Sequence, residues 1–74
     1  MEIGGQKYQA VVGSDLDRDG MFLEVTDEAT ALVAVLFYSD GDGSMTLTAH
    51  RPDVPLPLIE WMIAEGKKRL PTAK

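Results

Sequence analysis

Three aspartates at alternate positions, Asp15, Asp17 and Asp19, are the residues of this sequence whose spacing most directly suggests a chemistry. Gly20 follows them and permits a sharp turn. Carboxylates spaced in this way can converge on one divalent cation, and calcium takes oxygen ligands of this kind. Short acidic segments also form ordinary turns between strands, because Asp and Gly favour turn conformations. We therefore expect a metal-free turn and no cofactor, with weak calcium binding by the three aspartates as the alternative.

The order D-x-D-x-D-G in this segment resembles the first half of an EF-hand calcium loop. The resemblance implies ligands from the three aspartates and from the backbone carbonyl of Met21. The sequence departs from the EF-hand pattern at the twelfth position, where Thr26 stands in place of the bidentate glutamate. No helical pattern flanks the segment on either side. The resemblance therefore covers only the residues from Asp15 to Gly20.

Residues suited to catalysis are few in this sequence. His50 is its single histidine, and there is no cysteine. Two candidate nucleophiles, Ser39 and Ser44, flank the turn at the far end of the strand predicted to lead to His50, about 17 Å away. We therefore expect a protein that is not an enzyme. A minimal enzyme whose site forms between subunits is kept as an alternative.

The chain has 74 residues and a formal net charge of −5. A domain of this size buries only about 60% of the surface of its unfolded chain, so its core must be well packed or completed by an oligomer interface. The acidic balance argues against binding to nucleic acid, which requires clustered Lys and Arg. The longest apolar run, residues 31–38, is far short of the roughly 20 residues of a membrane span. With no export signal and no cysteine, we expect a cytoplasmic protein without a membrane partner.

The pattern of β-forming residues and turn residues predicts one domain with four strands, at about residues 7–13, 21–26, 31–38 and 45–49. A helix is predicted over about residues 57–69, because Pro57 suits a first helical turn and Pro71 marks a stop. The sequence thus predicts an α+β fold, a four-stranded antiparallel meander with one C-terminal helix packed on one face.

Closing each predicted hairpin at its turn assigns side chains to the two faces of the sheet. The pairs would include Leu36 with Leu47, Leu23 with Ala34, and Ala10 with Leu23. One face collects most of the large apolar residues, and we expect the helix to cover it. The opposite face, called the outer face below, collects Val11, Phe22, Val33, Val35 and Phe37.

A group of apolar residues on an exposed face usually marks an interface. We therefore predict that the outer face binds a protein partner or a second copy of the chain, with Trp61 as a further candidate anchor. The alternative for the outer face is that the N-terminal segment, the Pro-rich connection before the helix or a one-residue bulge hides these side chains. For Trp61 the alternative is packing in the core.

The charge is unevenly distributed along the chain. Residues 13–44 carry eight acidic residues and one basic residue, whereas residues 45–74 carry three acidic and five basic residues. The predicted function is therefore a small non-enzymatic protein-binding module, either dimeric or acting as an acidic inhibitor of a basic partner protein, since charge complementarity accelerates encounter.

Overall fold

A computed structural model describes residues 1–70, which form an α+β fold with one antiparallel sheet and one C-terminal helix. The elements are β1 (Glu2–Ile3), β2 (Gln6–Asp15), β3 (Gly20–Asp27), β4 (Leu32–Ser39), β5 (Met45–Ala49) and α1 (Leu56–Arg69). Each strand is hydrogen-bonded to the next in chain order. The predicted fold class is confirmed, but the sheet has five strands and not four. Pro71, which the sequence predicts as a stop signal, lies outside the described residues.

The additional strand is β1, a two-residue segment that pairs with the start of β2. Gly4 and Gly5 form the turn between them, and both adopt positive φ angles, 58° and 80°, that glycine tolerates at no steric cost. The amide of Tyr8 donates to the carbonyl oxygen of Met1 at 2.8 Å and extends this pairing. A strand this short contains no alternation of apolar and polar residues, so the sequence pattern does not reveal it.

The registers of the hairpins agree with the prediction only in part. Leu36 pairs with Leu47, as predicted. Leu23 pairs with Leu36 and not with Ala34, and Ala10 pairs with Val25 and not with Leu23. Both errors are shifts of two residues, because each turn closes at a different position from the one assumed. A shift of two keeps each side chain on its predicted face, since side chains alternate with a period of two.

A bulge in β4 changes the faces of two residues. Val25 pairs with Ala34, but Thr26 pairs with Leu32, so Val33 has no partner on β3. Because two residues oppose one at a bulge, the alternation of side chains is interrupted there. Val33 is fully buried in the core beside Ala34, and its predicted position on the outer face is wrong. Leu32 shares the outer face with Thr26 instead. The sequence predicts a pair of Leu32 with Val25, which would put Leu32 on the helix side.

Helix α1 lies across β4 and covers one face of the sheet. Its buried residues Leu58 and Met62, together with Leu70, pack against the apolar face of the sheet. Gly66 allows close approach, because a Cβ atom at this position would overlap the Cδ2 atom of Leu36. Helical periodicity predicts Ile63 on the apolar stripe of the helix that faces the sheet, but this residue is 42% exposed. Part of the apolar stripe of α1 is therefore open to solvent.

The strand order defines two ends of the sheet. The β2–β3 turn, residues 16–19, and the β4–β5 turn, residues 40–44, lie together at the end that we call the acidic end. The β3–β4 turn and the end of β5 lie at the opposite end. Within residues 1–70, no helix has the length and hydropathy needed to cross a membrane.

Candidate functional site

Four of the predicted interface residues share the outer face of the sheet. Phe22 and Phe37 are cross-strand partners, and Val35 pairs with Glu24, which in turn pairs with Val11. We call Val11, Phe22, Val35 and Phe37 the outer patch. Helix α1 covers the other face, so none of these four side chains lies beneath it. Their exposure nevertheless differs widely, since Val11 is 55% exposed whereas Phe37 is 8% exposed.

Phe37 is covered by its own neighbours. The guanidinium carbon of Arg18 lies 3.9 Å from the centre of its ring, a cation–π arrangement. On the neighbouring strand, a Cβ atom at Gly20 would lie 2.5 Å from the ring's Cζ atom, so the ring fits only because this residue is glycine. Phe37 therefore has a role in packing, and only a small part of it can reach a partner.

Phe22 packs in the same manner on the adjacent strand. A Cβ atom at Gly13, its cross-strand partner on β2, would lie 2.6 Å from Cζ of the Phe22 ring. Aromatic rings that lie over strand glycines compensate for the contact area that glycine lacks. The outer patch thus consists of two rings packed on the sheet itself and two valines, of which Val11 is the more open to solvent.

The other two predicted interface residues lie elsewhere. Val33 is fully buried at the bulge, so it does not contribute to an exposed surface. Trp61 is on α1, on the side of the sheet away from the outer patch, and it is half-buried against the core. The six residues therefore do not form one surface.

The two acidic turns are in direct contact. The amide of Asp40 donates to the carbonyl oxygen of Asp19 at 2.9 Å. In the predicted meander, the turns after the first and third strands would lie two strands apart, which corresponds to roughly 10 Å. That prediction is wrong. The first turn ends at β3 and the second begins at β4, and these strands are neighbours in the sheet. The aspartates of both turns therefore belong to one surface of the molecule: Asp15, Asp17, Asp19, Asp40 and Asp42.

Two of these carboxylates bind their own backbone. Oδ1 of Asp15 accepts from the amides of Asp17 and Arg18, each at 3.2 Å. Oδ1 of Asp42 accepts from the amide of Ser44 at 2.9 Å, and this hydrogen bond lowers the pKa of Asp42 below its ordinary value. These contacts are typical of turns. Among residues 1–70, no group of three acidic or histidine side chains is arranged to hold a metal ion.

Leu16 is the most exposed large apolar residue at this end. It occupies the tip of the β2–β3 turn between Asp15 and Asp17, and 88% of its surface is open to solvent. The prediction from sequence concerns the carboxylates of this turn and does not include Leu16. The signal was present in the sequence, since a large apolar residue is unusual in a turn otherwise composed of Asp, Arg and Gly.

The opposite end of the sheet carries an ion pair that the sequence did not predict. Nη2 of Arg51 donates to Oδ2 of Asp27 at 2.5 Å. This hydrogen bond is the main reason that the pKa of Asp27 lies below its ordinary value of 3.8. The pair lines an open concavity of about 320 Å³ together with Gln6, Tyr8, Glu28 and Ala29. Asp27 and Arg51 are paired with each other, whereas Glu28 has no ion-pair partner within residues 1–70.

His50 is exposed just after β5, and its amide donates to the carbonyl oxygen of Val33 at 2.8 Å. Ser44 lies before the first residue of the same strand, so the two side chains are at opposite ends of the sheet. His50 is therefore too far from Ser39 and Ser44 to activate either hydroxyl group.

Comparison of the chain with protein-family models, with curated proteins and with solved structures gives no significant match in any of the three.

Proposed function

We propose that this protein is a non-enzymatic module that binds a basic protein partner through the acidic end of its sheet. In this proposal Leu16 is the apolar anchor and the surrounding aspartates are the complementary charge. The adjoining outer patch extends the contact, because Arg18 of the same turn lies over Phe37.

The observation that carries the proposal is the hydrogen bond between Asp40 and Asp19, which joins two acidic turns into one surface. A joined surface with five carboxylates produces a stronger local field than either turn alone. Such a field accelerates association with an oppositely charged protein and disfavours acidic competitors.

Leu16 provides an apolar contact, which the surrounding charges do not provide. Interfaces owe most of their affinity to a few central residues that become fully desolvated, and charged residues at the rim contribute less. A leucine that is 88% exposed in the free protein and ringed by carboxylates fits this arrangement. We therefore expect the partner to present an apolar pocket surrounded by Lys and Arg.

The outer patch is less suited to binding a second copy of the chain than to binding a basic partner. Glu24 lies between Val11 and Val35 in the cross-strand row. A two-fold contact centred on that row would bring two Glu24 carboxylates close together, and like charges at an interface cost several kcal/mol, a rough figure. A basic partner would instead pair with Glu24.

The proposal is tested with two matched leucine variants. Leu16→Ser removes the anchor, and Leu56→Ser removes a leucine that is 67% exposed at the start of α1. Both should leave stability nearly unchanged, since both side chains are open to solvent. With the protein as bait in its native lysate, Leu16→Ser should lower capture of a specific basic protein by tenfold or more, roughly the effect of a central anchor. Equal capture by the two variants would contradict the proposal.

The charge contribution is tested separately. Asp17→Asn combined with Asp40→Asn removes two exposed charges from the acidic end, and Glu2→Gln combined with Glu28→Gln removes two elsewhere. The first pair should slow association with the captured partner and weaken its salt dependence, whereas the second should do so far less. Association that is independent of salt would contradict a charge-guided encounter.

Weak calcium binding remains the alternative for residues 15–20. Amide chemical shifts recorded during titration with millimolar calcium distinguish a calcium site from a surface that binds only a protein partner. Shifts confined to this turn would establish a metal site, whereas unchanged shifts would leave only the role in partner binding.

A further inference from the structure

An apolar groove lies between α1 and the edge of the sheet formed by β5. Its volume is about 300 Å³, and its lining is almost entirely apolar. Ile59 and Ile63 form the helix side, and Met45 and Leu47 form the strand side. Lys67 lies at its margin with an exposed side chain. The groove is the part of the helix-covered face that the single helix leaves open.

Strand β5 has an unpaired edge along this groove. Within residues 1–70 it pairs with β4 alone. The carbonyl of Ser44 and the amide of His50 both bond to β4, so the backbone groups of even-numbered residues point toward β4. The amides and carbonyls of Met45, Leu47 and Ala49 therefore point outward. Their side chains lie on the helix face, because they pair with residues of that face.

This edge lacks the usual protection. Edge strands are normally blocked by charged residues, proline or a bulge, which prevent pairing with another chain. Strand β5 reads Met-Thr-Leu-Thr-Ala and contains none of these. In the part of the chain that the structure describes, residues 9–15 of β2 are also unpaired on one side. The groove, however, lies beside β5, three strands away.

We propose that the β5 edge binds a second copy of the chain, with the two β5 strands antiparallel about a two-fold axis at Leu47. In this register Leu47 pairs with its own symmetry mate, and Met45 pairs with Ala49 of the other copy. All three outward-pointing residues then satisfy their amides and carbonyls. The two threonines of β5 pair across the axis on the outer face, which favours the sheet.

The same axis brings the two grooves together. Because α1 lies across β4, the two helices would be about three strand spacings apart, roughly 14 Å. That separation exceeds the 8–10 Å of directly packed helices. Ile59, Ile63 and Leu47 from both copies would fill the space between them, and the exposed part of Ile63 would become buried.

The charges on α1 make its groove side complementary to the same side of a second copy. Glu60 and Lys67 are seven residues apart, so they lie on the same side of α1, two turns from each other. Lys67 borders the groove. Lys68 and Arg69 are paired with Glu65, whereas within residues 1–70 neither Glu60 nor Lys67 has an ion-pair partner. Two antiparallel helices related by a two-fold axis would place Glu60 of each copy near Lys67 of the other. This reciprocity favours a second copy over an unrelated strand.

Charge reversal tests the pairing directly. Glu60→Lys and Lys67→Glu each turn both attractive pairs of the dimer into repulsive ones. Each variant alone should raise the dimer dissociation constant about tenfold. This is the size of effect expected when two exposed ion pairs become pairs of like charge. A one-to-one mixture of the two variants restores opposite charges at both positions, so it should form heterodimers with nearly wild-type affinity. Analytical ultracentrifugation in low salt measures all three.

Two outcomes would overturn the proposal. The first is a wild-type protein that stays monomeric up to millimolar concentration. The second is a dimer whose affinity is unchanged in the single variants and in their mixture.

A second pair of variants separates this edge from the outer patch. Ile63→Lys places a charge at the groove, and Val11→Lys places one on the outer patch, both at exposed positions. The dimer should dissociate with Ile63→Lys and persist with Val11→Lys, and the reverse result would assign self-association to the outer patch. Capture of a basic partner through Leu16 is measured on a different surface, so either proposal can fail without the other.

Discussion

Phe37 provides the strongest test of how the uncovered face of the sheet is stabilised. Phe37 is only 8% exposed although α1 lies on the other side of the sheet, because Arg18 stacks on its ring and the ring lies close against Gly20. A buried phenylalanine removes about 150–250 Å² from water, and at about 25 cal/mol per Å² this is worth roughly 4–6 kcal/mol as an upper estimate. Replacement by alanine should therefore destabilise the fold by about 3–5 kcal/mol.

That loss is large for this chain. A small domain has a total stability near the lower end of the usual range, about 5 kcal/mol. Phe37→Ala should thus keep a stability of only about 0–2 kcal/mol. Phe37→Leu, which keeps most of the volume, should lose only about 1–1.5 kcal/mol. Val11→Ala is the matched control on the same face, with an expected change below about 0.5 kcal/mol because its side chain is mostly exposed.

Urea denaturation followed by circular dichroism measures these differences. The urea concentration at the unfolding midpoint should be highest for Val11→Ala, lower for Phe37→Leu and lowest for Phe37→Ala. A cost below about 1 kcal/mol for Phe37→Ala would refute the reasoning, because it would mean that the ring contributes little to packing. Phe37 would then be free to act as an interface residue, as the sequence alone suggests.

Two further changes test local features of the sheet. The lowered pKa of Asp27 means that its bond to Arg51 contributes stability that is complete above about pH 3.8 and is lost as the pH falls through the lower folded-state pKa. The unfolding free energies of wild type and Arg51→Gln should therefore converge in acid, and a gap that is constant from about pH 6 to pH 2 would argue against this pair. Gly20→Ala should cost about 1–3 kcal/mol, because its Cβ would overlap the carbonyl oxygen of Tyr38. Gly41→Ala, where the nearest atom is 3.7 Å away, should cost almost nothing in the same melts, and equal losses would contradict the close-approach argument.

The candidate site was only partly predictable. The sequence placed Val11, Phe22, Val35 and Phe37 on one face, and the structure keeps them there. It did not predict how far Phe37 is enclosed, because enclosure depends on the turn that brings Arg18 over the ring. Contacts of this kind join residues far apart in the chain, and periodicity contains no information about them.

The bulge shows the limit of face assignment from sequence. The apolar run of β4 gives no sign of where alternation is interrupted, because Val, Ala and Leu suit either face. Regular alternation therefore predicts Val33 on the outer face, whereas the bulge between the Val25 and Thr26 pairs turns it into the core. The possibility of a one-residue bulge could be stated from the sequence, but its position could not.

The sequence by itself determined the antiparallel meander, the C-terminal helix and the uneven charge, because turn residues, period-two alternation and helical periodicity are local properties. Tertiary structure alone decided which turns touch, which residues the helix leaves exposed and which edge stays open. These three features depend on which strands are neighbours in the sheet and on where the single helix lies across its five strands. The acidic end exists as one surface because β3 and β4 are adjacent, and the β5 groove exists because α1 lies across β4.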